Sequence, residues 1–139
     1  MSVPKATLLK ARVVNAAARE FWLEGELSCP CCLIILRDES GQTWRVYYDD
    51  ETYRWYTSPW QEPFPEIGTV IGDEDFQYRH VQLSESDKIV GSRIINIEEY
   101  AADGSAHMEI IFENDFRLEC HHTFSDETSG FEVVRRSVA

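Results

Sequence analysis

Two short segments carry residue types that could bind a metal or act as a nucleophile. Cys29-Pro30-Cys31-Cys32 offers three thiols, and Cys120-His121-His122 adds a thiol and two imidazoles far along the chain. Zinc takes Cys and His in tetrahedral sets, usually built from pairs with two or more residues between them. The spacing C-x-C-C does not match such a knuckle, and a second cysteine pair is missing. Cysteine catalysis needs a thiolate beside a base that a third group orients. His107, His121 and His122 supply the residue type, but in a strand His121 and His122 point to opposite faces. The plainer reading packs some of the thiols as small hydrophobes beside Leu33-Ile34-Ile35-Leu36. The expectation is no catalytic residue, no metal and no cofactor. Whether Cys29, Cys31, Cys32 and Cys120 hold a metal or fill a core stays open at this level.

Carboxylates are abundant, with 25 acids in 139 residues. Glycoside hydrolysis needs two of them across a cleft with opposed pKa values, and nothing singles out such a pair. No G-x-G-x-x-G, Walker A, H-E-x-x-H, G-x-S-x-G or EF-hand pattern occurs. Asp73-Glu74-Asp75 lacks the alternating ligand spacing of a calcium loop.

The aromatic residues are unevenly placed. Trp44, Tyr47, Tyr48, Tyr53, Trp55, Tyr56, Trp60 and Phe64 fall within one short segment, interleaved with Asp49, Asp50, Glu51 and Glu62. Aromatics among bases would suggest single-stranded nucleic acid. Among acids they suggest a protein partner, because Tyr and Trp dominate interface hot spots and carboxylates pair with Lys or Arg. Alternating rings such as Trp44 and Tyr48 also suit a core.

Charge sharpens this. The net charge is −12, and all 25 acids lie between residues 20 and 132 with only seven bases. Basic residues gather at the two ends of the chain. A surface of this sign does not suit phosphate backbones or anionic membranes. It suits a basic protein, which it would steer and orient. No run of 18 apolar residues and no secretory signal pattern occurs, so a cytoplasmic location with reduced cysteines is expected.

The elements that must position these residues read mainly as strands. Length and composition suit a single globular domain over residues 1–139. Ala6–Asn15 leans towards a strand, and Phe21, Leu23 and Leu27 alternate against Glu24 and Glu26 as one strand. Leu33–Leu36 and Thr43–Tyr48 form a hairpin. Ser58–Gly68, with Pro59, Pro63 and Pro65, reads as an extended loop. Phe76–Leu83 reads as a strand and Ser84–Val90 as one helical turn ended by Gly91. From Arg93 onward, turns at Ala102–Ser105, Asn114-Asp115 and Ser125–Gly130 separate alternating strands. The expected class is α+β but β-rich: a mostly antiparallel meander sheet with one or two short helices. Leu36–Trp55 and Phe112–Phe131 also echo each other, each running from a hairpin through Asp-Glu-Thr to an aromatic residue.

In style the chain resembles the small acidic immunity proteins of bacterial polymorphic toxin and contact-dependent inhibition systems. Ile94–Ile97, Asp103-Gly104, Ile110-Ile111-Phe112-Glu113-Asn114 and Ser129-Gly130-Phe131 carry the resemblance, with the size and the charge. It implies a protein-binding inhibitor that occludes the active site of a cognate, basic toxin domain. The residues expected to bind the partner are Asp49, Asp50, Glu51, Tyr53, Trp55, Trp60, Asp73, Glu74 and Asp75. The alternative is a small-ligand-binding or enzymatic β domain with an aromatic-lined pocket.

Overall fold

The computed structural model describes residues 8–135. The strands are β1 (Val13–Leu23), β2 (Glu26–Asp38), β3 (Thr43–Asp49), β4 (Arg54–Trp60), β5 (Val70–Gly72), β6 (Phe76–Gln82), β7 (Ile94–Ala102), β8 (Ser105–Phe112), β9 (Phe116–Thr123) and β10 (Thr128–Arg135). A single 3₁₀ turn, Ser86–Lys88, lies between β6 and β7. The β-rich antiparallel expectation holds, and among the described residues its helical part is that turn and Leu8.

The strands make two antiparallel sheets. One is six-stranded in the order β4-β3-β2-β1-β6-β5, and the other is the meander β10-β9-β8-β7. Alternation decides which side of each strand is buried. Ala106, Met108, Ile110 and Phe112 of β8 and Leu118, Cys120 and His122 of β9 all turn inward. In the larger sheet, the pairs Ala16↔Leu36 and Ala18↔Ile34 set a small residue opposite a large one on the same face. Val46 and Trp44 continue that face, opposite Ile34 and Leu36. One core cluster joins these residues to those of the meander. Cross-sheet contact runs mainly between β10 and β2 and between β4 and β8. Burying a side chain of Ile or Phe size contributes roughly 1.5–3 kcal/mol.

One end of this two-layer structure is closed by backbone. Lys10 and Val13 donate to the carbonyls of Ile94 and Ser92 at 2.7 and 3.1 Å, and Ile94 donates to Ala11 at 2.9 Å. Leu8, Leu83, Ile89 and Ile94 are fully buried beneath this seam. The turns β1–β2, β3–β4, β5–β6, β7–β8 and β9–β10 all lie at the opposite, open end.

Four local readings change. Phe21–Leu27 is not one strand, because Glu24 and Gly25 both take positive φ, 51° and 82°, and fold β1 onto β2. The expected strand over Ala6–Asn15 lies partly outside the described residues, and within them β1 begins only at Val13, after a turn in which Lys10 has φ 69°. Pro59 and Trp60 belong to β4 rather than to the loop; a proline is tolerated there because β4 is an edge strand. Val70–Gly72 is a strand that alternation alone did not reveal, since it is three residues long. Gly72 is required beside its turn: a Cβ there would lie 2.0 Å from the Phe76 carbonyl oxygen.

The proline segment has a defined path. Its two ends belong to β4 and β5, the opposite edges of one sheet. Residues 61–69 therefore strap across the outer face. Arg19 of β1 lies under this crossing, its guanidinium 5.3 Å from the Trp60 ring centroid. Its Nε donates to His80 Nε2 at 3.0 Å. Nδ1 of the same imidazole is 2.9 Å from Thr69 Oγ1, and that hydroxyl donates to the Glu66 carbonyl at 2.8 Å. A hydroxyl has one proton, so Thr69 must accept from His80 Nδ1–H. His80 is therefore neutral, with a single tautomer fixed by its neighbours.

The β2–β3 turn shows how tightly a polar group can be held. The buried Asp38 carboxylate accepts from Ser40 Oγ at 2.6 Å, Ser40 N at 2.9 Å, Gln42 N at 3.0 Å and Trp44 Nε1 at 2.9 Å. Burial pushes its pKa up, but these hydrogen bonds outweigh it and hold the carboxyl below its ordinary value.

Candidate functional site

At the open end, a pocket of about 270 Å³ separates the sheets. The β1–β2 hairpin supplies one wall through Cys29, Cys31 and Cys32. Tyr48 and Trp55 come from β3 and β4, and Asp50 from the turn between them. His122, Glu127 and Ser129 come from β9, β10 and their turn. Pro30 lies where β2 has β1 but not β3 beside it and where the β1–β2 register slips, positions at which a strand tolerates proline.

Tyr48 and His122 join the two layers. Their rings are 3.7 Å apart at the centroids and 9° from parallel. His122 Nδ1 is 2.6 Å from Ser129 Oγ. Burial lowers the pKa of His122, while Glu127, Asp126 and Asp50 pull the other way. Tyr48 lines the pocket, and its hydroxyl is buried with no hydrogen-bond partner. Burial raises its pKa, and the nearby Tyr53, Asp50, Glu127 and Asp49 add to the effect. It therefore stays protonated, an O–H donor without an acceptor.

Three of the thiols are poorly suited to attack. Burial, helped by Cys120 and Cys32, pushes the Cys31 thiol far up, and burial does the same to Cys120. Cys32 is exposed overall, but its sulfur turns back to donate to the Arg19 carbonyl at 3.3 Å. Its pKa is pushed up to about 11 by burial, with Cys29 adding and Arg19 opposing. Thiolate character is therefore suppressed at all three. Among the described residues, no group of three or more His, Cys, Asp or Glu side chains is placed to hold a metal. Cys31 and Cys120 are core residues. His121 and His122 do point to opposite faces: His122 is buried, whereas His121 is exposed with its ring across Gly130. A Cβ at Gly130 would lie 2.7 Å from that ring.

The nine residues expected to bind a partner are divided. Asp49, Asp50, Glu51 and Tyr53 form the β3–β4 turn at the pocket mouth. Tyr53 is 66% exposed and holds φ 60°, a left-handed conformation that costs a residue with a Cβ roughly 1–2 kcal/mol. Asp73, Glu74 and Asp75 form the β5–β6 turn, which points the same way along the strands. Trp55 is a correction: it is 6% exposed, and its Nε1 donates to the Ala106 carbonyl at 3.1 Å, tying β4 to β8. It is a core residue whose small remaining surface lines the pocket. Trp60 lies at the far end of β4, on the outer face under the strap.

Sequence reasoning missed Asp126 and Glu127 as companions of Asp49–Glu51. The Asp-Glu-Thr echo was the available signal. Both copies form hairpin turns at the open end; Asp126 Oδ1 accepts from Thr128 N–H, whereas in the first turn the acceptor is Asp49, one residue before the motif, bonded to Glu51 N–H. The exposed ring of Phe124 packs edge-on against Tyr53 at 6.0 Å, bringing the two turns together.

Fold and site together define a two-sheet antiparallel β protein with a pocket at its acidic end. No protein-family model, curated protein or solved structure matches the chain. No helix among the described residues is long and apolar enough to cross a membrane.

Proposed function

We propose that the protein is a protein-binding inhibitor that occludes a basic partner with its open end, in the manner of an immunity protein acting on a cognate toxin domain. One observation carries this reading. Acidic turns far apart in sequence, Asp49-Asp50-Glu51 and Asp126-Glu127, meet around one pocket mouth with Tyr53 and Phe124 between them. Carboxylates would steer a basic surface in, and the rings would slow its release.

The test is affinity capture from the native lysate, followed by titration of the captured partner at two salt concentrations. Replacing Asp49, Asp50 and Glu51 with Ala is expected to weaken binding about tenfold or more and to flatten its salt dependence. A partner that binds the triple variant unchanged removes this face as the interface.

The buried, unpartnered Tyr48 hydroxyl favours a second reading, a small ligand in the pocket. At about 270 Å³ the site falls just below the usual range for ligand pockets. Native mass spectrometry of the purified protein distinguishes the two, because a retained small molecule supports the ligand.

A further inference from the structure

A second surface lies outside the pocket. Towards the open end, β1, β6 and β5 run on past the level of the β3–β4 turn. Cross-strand partners share a face, and the pairs are Phe21↔Tyr78, Leu23↔Phe76 and Ile71↔Tyr78. These five side chains therefore form one continuous apolar area. Leu23 is 39% exposed, Tyr78 40%, Ile71 53% and Phe76 56%. Phe21 sits among them, 5.3 Å from the Tyr78 ring and 6.4 Å from that of Phe76. Single exposed apolar residues are ordinary, but a contiguous group rimmed by charge marks an interaction site.

The rim is acidic. Glu24 and Glu26 border the patch at the β1–β2 turn, and Asp73, Glu74 and Asp75 border it at the β5–β6 turn. The Glu24 N–H donates to the Asp75 carbonyl at 2.8 Å, so the two turns are fastened together. β5 is the last strand of the sheet and has β6 on one side only. Its outer edge is a template for another strand.

We propose that this face docks an extended segment of a basic partner protein, laid along β5 as an added strand. The segment's apolar side chains pack on Ile71 and reach across to the rings of Tyr78 and Phe76 on the next strand, and its Lys or Arg side chains pair with Asp73, Glu74 and Asp75. A second copy of this chain is disfavoured. It would bring the same acidic turns together, on molecules that each carry a charge of −12. The proposal rests on the reading of a basic protein partner and supplies the apolar anchor that the buried Trp55 cannot.

The probe is an end-blocked peptide alternating lysine and valine, compared with one alternating glutamate and valine. NMR titration is expected to shift the amides of Val70–Gly72 with the lysine peptide alone. Ile71→Ser with Phe76→Ser should weaken that binding about tenfold, with the melting temperature retained because both residues are exposed. The Asp49, Asp50, Glu51 to Ala variant should bind the peptide within about twofold of the parent. No binding, equal binding of the glutamate peptide, or a dimer in ultracentrifugation that the double substitution dissolves overturns the proposal. Against the captured partner, loss of binding by the double variant alone leaves the patch as the interface and removes the pocket mouth. Loss by the triple variant alone does the reverse.

Discussion

The imidazole of His122 lies flat on the phenol ring of Tyr48, 3.7 Å away at the centroids, and this stack is a direct tie between the two sheets at the pocket. The partners come from β9 and β3, and Ser129 Oγ holds the imidazole at Nδ1. Burial favours the neutral ring.

The first expectation concerns pH. His122 has a lowered pKa in the folded state, because burial outweighs the nearby carboxylates. The unfolded chain then takes up its proton first as pH falls below the ordinary value of about 6.5. Stability is complete above that value and is lost on acidification towards the folded pKa. Denaturant midpoints measured across this window should fall for the native protein. The slope should be shallower for His122→Phe, which keeps a ring against Tyr48 and cannot titrate.

His80 should behave in the same sense but with a local readout. Burial and the Arg19 guanidinium lower its pKa, and Glu62 opposes them. Protonation would place an N–H at Nε2, against the Arg19 Nε–H that now donates to it. The strap over residues 61–69 should then exchange its amides faster as pH drops below about 6.5, after correction for intrinsic rates. Unchanged protection at Gly68 and Thr69 would falsify the account of a neutral, network-held imidazole.

Two aromatic residues two positions apart should answer differently to substitution. Trp55→Ala removes a buried ring and the bond to Ala106, and should cost roughly 3–5 kcal/mol of stability. Tyr53→Asn loses the edge contact with Phe124 but puts a residue tolerant of φ 60° in its place. Its stability should stay within about 1 kcal/mol of the parent. Partner affinity should nevertheless drop, because Tyr53 is exposed at the mouth. Chemical denaturation and titration of the captured partner read the two effects separately.

Cys31, Cys32 and Cys120 should be slow towards alkylating and disulfide reagents at neutral pH. Cys31 and Cys120 are buried with raised pKa values, and the pKa of Cys32 is about 11. Mass spectrometry after brief iodoacetamide treatment should find Cys31 and Cys120 unmodified in the folded protein and all four cysteines modified in denaturant. Rapid labelling of Cys31 under native conditions would contradict the packing described here.

Much of the fold could be read directly. Period-two alternation from Ala106 to Phe112 and from Phe116 to Cys120 marks strands whose buried sides match the structure. The hairpin at Asp103-Gly104 follows from turn chemistry that needs no tertiary context. What escaped depends on long-range pairing. Glu24-Gly25 looks like one more step of an alternating strand until both residues take positive φ. Val70–Gly72 is too short to show a period. The site was half legible. Asp49–Glu51 and Tyr53 do share a mouth, but only the pairing of distant hairpins brings in Asp126 and Glu127. Trp55 and Trp60 look alike in sequence, yet the alternation of β4 and the crossing strap send one into the core and the other to the outer face. The apolar patch was invisible because its residues come from three strands of which one, β5, went unread.

The strap between β4 and β5 also sets what happens if the chain is cut. Gln61, Glu62, Pro63 and Glu66 are exposed within it, so a protease can reach the crossing. Yet the halves on either side hold each other by other means. β1 pairs with β6 along the whole stretch from Ala17↔Gln82 to Leu23↔Phe76, and β2 and β4 lie against β10 and β8. A single nick there would leave two fragments associated as one particle, splitting only when denatured. The peptide link across the outer face thus serves assembly, by keeping β6 near β1 while the chain folds.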